Sequence, residues 1–129
     1  MNDDRFAPGL YVTDAEATSV AGDWRLAGWT PKVVRLPDDL EPDAARGTLV
    51  ALGEVLGLGS RYAATWDALD DGLRGVPANT VLVWASGTAF ADEHADVWAR
   101  LGDAFAERVR RTPPFAVVLA DAPRRPASG

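Results

Sequence analysis

Apolar residues recur along this chain with two different periods. Val81-Leu82-Val83-Trp84 and Phe115-Ala116-Val117-Val118-Leu119 are unbroken apolar runs, as expected of strands buried on both faces. Between them, Val97, Trp98, Leu101, Ala104, Phe105 and Val109 follow helical spacing. They predict an amphipathic helix over residues 96–111 that stops at Pro113-Pro114, with Arg108, Arg110 and Arg111 at the end where cations are favoured. Leu49, Leu52 and Leu56, at i, i+3 and i+7, predict another helix over residues 43–56, with Pro42 at its start and Gly57 at its end. The β-branched stretch 32–36 reads as a strand, and 37–42 as an acidic loop. Upstream, Gly9-Leu10-Tyr11-Val12 reads as a short strand, followed by a helix from the cap-like Thr13-Asp14-Ala15-Glu16 to about Leu26. Ala27-Gly28-Trp29 breaks that helix, and Pro31 marks a turn. Residues 86–93 read as a connector with one helical turn.

Two buried strands separated by a helix imply a parallel pair joined by a right-handed crossover. The fold class is therefore α/β: a small three- to four-stranded, mostly parallel sheet packed by helices. At 129 residues the chain forms one domain and can bury a core without disulfides or a metal. Residues 1–8 are expected to be a flexible arm, 9–121 the domain (an N-terminal extension over 9–31 and a core over 32–121), and 122–129 a disordered tail. No internal repeat is visible.

The most informative segment is 65–74. On a helix starting after Thr65, residues Trp66, Leu69 and Leu73 share one narrow face, with Ala68 and Gly72 beside it. Asp67, Asp70, Asp71 and Arg74 occupy the opposite arc. Thr65 suits the N-cap, and Asp67 lies in the first turn, where the helix dipole favours an anion. Asp70 and Asp71 lie near the last turn, where the dipole opposes them. Local stability does not explain that pair, whereas a cationic partner would. From the residues alone, a solvated helix face explains Asp67 and Asp71 as well as an interface does.

Composition narrows the classes of function. Net charge is −6, so the chain repels phosphate backbones and is not expected to bind nucleic acid, while a basic protein is an easier partner. The absence of cysteine leaves no disulfide, thiolate nucleophile or Cys-ligated metal, in keeping with a reducing cytoplasm. No apolar run reaches the length of a membrane span, and no apolar segment of a secretory signal follows the acidic start Met1-Asn2-Asp3-Asp4-Arg5. The chain is not expected to be an enzyme. Its one histidine, His94, lies in a polar run at a helix start and is expected at the surface. Gly57-Leu58-Gly59-Ser60 lacks the further glycine and lysine of a phosphate loop. Asp67 and Asp71 lack the loop-borne oxygens that calcium usually takes, and nothing obvious buries them as a hydrolase pair would require. Neither metal nor cofactor is expected. Of the five tryptophans, Trp66, Trp84 and Trp98 fall on packing faces; Trp24 and Trp29 have no evident place.

The stretch from Arg61 through Tyr62, Thr65, Trp66, Asp67-Ala68-Leu69 and Asp71 to Leu73 resembles the signature segment of the barstar-like family, intracellular inhibitors of barnase-type ribonucleases. Val81–Trp84 and Phe115–Leu119 resemble that family's central and final strands. The likeness runs from about residue 32 to 119; the first 30 residues look similar to an extension seen in actinobacterial members. It implies a three-stranded parallel sheet and the inhibition of a small secreted guanyl-specific ribonuclease in a 1:1 complex. The motif helix and the loop before it would plug the nuclease active site. The carboxylate matching Asp71 would stand where a substrate phosphate sits, with Asp67 as a second contact acid, both paired with cationic groups. Partner contacts would come from Arg61, Tyr62, Thr65, Trp66, Asp67, Asp70, Asp71, Arg74 and Glu107, the last on the final helix. Arg61 and Asp70 stand where the family carries aromatics, Thr65 where it carries Asn, and Ala63 where it carries Gly. These departures admit a divergent ribonuclease, another basic toxin, or a non-nuclease partner for an immunity-type interaction domain.

Overall fold

The computed structural model describes residues 6–36, 43–59 and 62–122. Four strands form one sheet: β1 (Gly9–Val12), β2 (Thr30–Val34), β3 (Thr80–Trp84) and β4 (Phe115–Leu119). Their order across the sheet is β1-β4-β3-β2, and every neighbouring pair is parallel. The fold is thus α/β, with a four-stranded sheet that is parallel throughout among the described residues. The helices are α1 (Ala17–Leu26), α2 (Ala44–Leu56), α3 (Trp66–Arg74), α4 (Gly87–Glu93) and α5 (Ala95–Val109).

Strand order accounts for where the helices go. The chain crosses from β1 to the far edge at β2, then steps back through β3 to β4. Right-handed crossovers in opposite directions place their helices on opposite faces. Alternation along the strands divides two cores accordingly. Val81, Val83, Ala116 and Val118 meet Ala17, Val20, Ala21 and Trp24 of α1, together with Trp29. Leu82, Trp84, Phe115, Val117 and Leu119 meet Leu49, Leu52, Leu69, Leu73, Leu101 and Phe105 on the other face. Trp24 and Trp29, without a place in the sequence reading, therefore anchor the N-terminal layer, with ring centroids 5.0 Å apart.

Several elements differ from expectation. Pro31 lies inside β2 rather than in a turn before it; β2 is an edge strand, where a missing backbone N–H is tolerated. Residues 87–93 are a helix of their own, reached through Ser86 in the left-handed region (φ 56°). His94 is half-buried, its ring 5.1 Å from that of Phe90. The arm is tied down from Phe6 onward: the Phe6 carbonyl accepts from Trp29 Nε1 at 3.2 Å, and the Phe6 ring packs edge-on against Trp24. At the other end, Asp121 Oδ2 accepts from the Ser86 amide at 3.1 Å, and the Ala122 amide donates to the Thr13 carbonyl. The acidic loop 37–42 lies outside the described residues.

Candidate functional site: an acidic helix and the loop before it

Helix α3 forms where its apolar period and its cap coincide. The Thr65 hydroxyl accepts from the Ala68 amide at 3.1 Å, satisfying a free donor of the first turn. Leu69 and Leu73 are buried, and Trp66 packs half-buried against the same core. That orientation leaves Asp67, Asp70, Asp71 and Arg74 exposed on the other side. Gly72 lets the Leu58 side chain pack closely where α3 meets the loop behind it; a Cβ there would lie 2.5 Å from Leu58 Cδ1 and would push that methyl aside.

Tyr62 fastens the loop to α2. Its hydroxyl donates to the Leu49 carbonyl at 2.7 Å, and its ring lies on Gly53. Burial raises its pKa above the usual 10.0. The folded state therefore holds this proton more tightly than the unfolded chain does. The resulting stability is fully present below the unfolded value and is lost as pH rises through the folded one. Tyr62→Phe should cost about 1 kcal/mol at neutral pH through the lost hydrogen bond, and should flatten the fall in stability above about pH 10. Urea unfolding at neutral and alkaline pH checks both effects; an alkaline limb as steep as the parent's would contradict them. A Cβ on Gly53 would come within 2.4 Å of the Tyr62 ring. Gly53→Ala is accordingly expected to destabilise by about 1–3 kcal/mol, despite alanine's better helix propensity, which thermal unfolding would read.

Glu107, on α5, is brought to the end of α3 by helix packing. A cleft of about 40 Å³ between the two helices is lined by Asp70, Arg74, Glu107, Arg108 and Arg111. Two exposed ion pairs flank it, each local to one helix: Arg74 to Asp71 at 3.5 Å on α3 and Arg111 to Glu107 at 2.5 Å at the end of α5. Such pairs contribute little to stability and exchange readily for other partners. Of the nine residues singled out in the sequence, Asp70, Arg74 and Glu107 share this cleft. Asp67 and Asp71 lie on the same arc of α3; Thr65, Trp66 and Tyr62 support the helix and its approach. Arg61 lies outside the described residues. An open groove lined by Val50, Gly53, Tyr62 and Thr65 adjoins the start of α3, and Val50 is exposed within it.

Sequence reading missed two residues here. Arg100 of α5 stacks on Trp66, its guanidinium carbon 4.6 Å from the ring centroid. Arg108 is 4% exposed, not a surface cation at the helix end. The signal for Arg108 was its phase: it continues the series Val97, Leu101, Phe105 on the buried stripe.

Among the described residues, no group of three or more His, Asp or Glu side chains is placed to hold a metal ion, and no helix is long and apolar enough to cross a membrane. Fold and site together define a small parallel α/β domain that uses apolar packing to present a carboxylate-bearing helix outward. A family model described as barstar (barnase inhibitor) matches residues 43–120, more than half of the chain, and the protein belongs to that family. The matched residues take in α2 through β4, and so the whole acidic helix. No curated protein and no solved structure matches the chain significantly.

Proposed function

We propose that the protein is an intracellular inhibitor of a small secreted ribonuclease, one that closes the nuclease active site with α3 and the loop before it. One observation carries this reading. Within the family-matched residues, Leu69 and Leu73 are buried while Asp67, Asp70 and Asp71 all face outward. A row of fixed carboxylates imitates the anionic backbone of RNA in a cationic cleft, and forms charge-assisted hydrogen bonds with arginine there. Opposite fields also speed the encounter. The protein acts by occupying the site, as a monomer in a 1:1 complex in the cytoplasm, with no cofactor and no chemistry of its own.

The test is titration of candidate extracellular guanyl-specific ribonucleases from the same organism. The expected result is loss of nuclease activity with a break at one equivalent. Full activity of all of them at micromolar inhibitor would overturn the reading.

A second reading is favoured by Asp70, which stands where the family carries an aromatic and is exposed beside Arg74 and Glu107. Exchange of rigid aromatic area for charge suits a different basic toxin or a non-nuclease partner. A pull-down that enriches one such protein, lost on Asp71→Ala, would select it.

A further inference from the structure

Arg108 is a buried cation whose hydrogen bonds all go to backbone carbonyls. Its Nε donates to Leu73 O at 2.7 Å and its Nη1 to Pro113 O at 2.8 Å, with Arg111 O at 3.5 Å. The guanidinium carbon lies 5.0 Å from the Phe115 ring centroid, and Nη2 is buried with no acceptor. Burying a charge in this way is costly, and burial lowers its pKa below the ordinary arginine value. An apolar side chain would fill this position on the stripe more cheaply.

What the position gains is control of the end of α3. Leu73 O belongs to the last turn of that helix and also accepts from the Val76 amide at 3.3 Å. With nine residues, α3 holds its shape by packing rather than by intrinsic propensity. Asp70 and Asp71 sit at its C-terminal end, against the dipole. Arg108 places a fixed positive charge at that same end, and its residue lines the cleft together with Asp70 and Glu107.

We propose that Arg108 is the positioning residue of the docking face. It clamps the last turn of α3 to α5 and to the entry of β4, and its charge offsets those of Asp70 and Asp71, so the partner meets the acids in one arrangement. This inference rests on the docking reading above and deepens it.

The test is a double-mutant cycle on inhibition of the cognate nuclease, with concentrations corrected to folded protein by near-ultraviolet circular dichroism. Arg108→Met should weaken inhibition about tenfold in the parent, the scale of one hydrogen bond to a charged group, but only about twofold when Asp71→Ala is already present. Arg108→Lys keeps the charge without the fork. It should stay within about threefold of the parent, and it serves if the Met variant fails to fold. An equal loss in both backgrounds, no loss at all, or a Lys variant as weak as Met would overturn the proposal. If Asp71→Ala alone inhibits like the parent, the docking reading has failed instead. Amide exchange then decides the clamp: faster exchange at Gly75 and Val76 than at Val117 in Arg108→Met, with Arg108→Lys close to the parent, supports it, and uniform change overturns it.

Discussion

Trp24→Ala is expected to lower the free energy of unfolding by about 3–5 kcal/mol, the range for deleting a buried large aromatic. Trp24 is 5% exposed, and three rings meet it: Phe6 at 5.1 Å, Trp29 at 5.0 Å and Tyr11 at 5.8 Å between centroids. These contacts join the chain before β1, strand β1 itself, helix α1 and the entry to β2. Among the described residues, α1 is the helix packed on this core, so the cavity would close by letting α1 settle onto Val81, Val83, Ala116 and Val118. Urea denaturation followed by fluorescence and by far-ultraviolet circular dichroism measures the loss. Coincident transitions with an unchanged slope would show that both layers unfold as one unit. A loss below about 1 kcal/mol would instead mark the N-terminal layer as an appendage to the 43–120 unit.

That layer also shows how far the sequence could be read. β3 and β4 were legible because strands covered on both faces carry unbroken apolar runs, here 81–84 and 115–119, whose pattern needs no partner to interpret. The acidic helix was legible because Trp66, Leu69 and Leu73 give its period, Thr65 its start and the carboxylates its outer arc. Where a residue's meaning depended on topology, local pattern failed. Trp24 belongs to a core only because the β1-to-β2 crossover carries α1 to the opposite face from the other helices. Pro31 fits a strand only because β2 is an edge. The start of α4 was hidden because Ser86 enters it from a left-handed backbone, without a side-chain cap. Arg108 was read by its charge rather than by its phase, although helical phase places it beside Phe105 and Leu101. At the site itself, the acids on α3 could be assigned to one arc, but the meeting of Asp70 with Glu107 depends on how α3 packs against α5, which no spacing within either helix specifies.

Asp71→Ala is expected to weaken the proposed nuclease complex about 10- to 150-fold, the loss of one hydrogen bond to a charged group in a desolvated contact. Asp67→Ala should weaken it less, since the family resemblance implies only a secondary contact for that acid. Asp71→Ala should leave the unfolding midpoint in place, and Asp67→Ala should cost no more than about 1 kcal/mol, for its favourable place in the first turn. Asp71 is exposed, its ion pair with Arg74 spans 3.5 Å at the surface, and its position opposes the helix dipole. Binding and stability should thus separate, which a packing residue such as Leu69 would not allow. The salt response should separate the two phases of binding as well. Screening of the long-range attraction slows association as ionic strength rises, whereas the direct contact of Asp71 governs dissociation. Stopped-flow association and displacement at two salt concentrations measure both. Two aspartate variants that inhibit like the parent would remove α3 from the contact and leave the acidic face to a different partner.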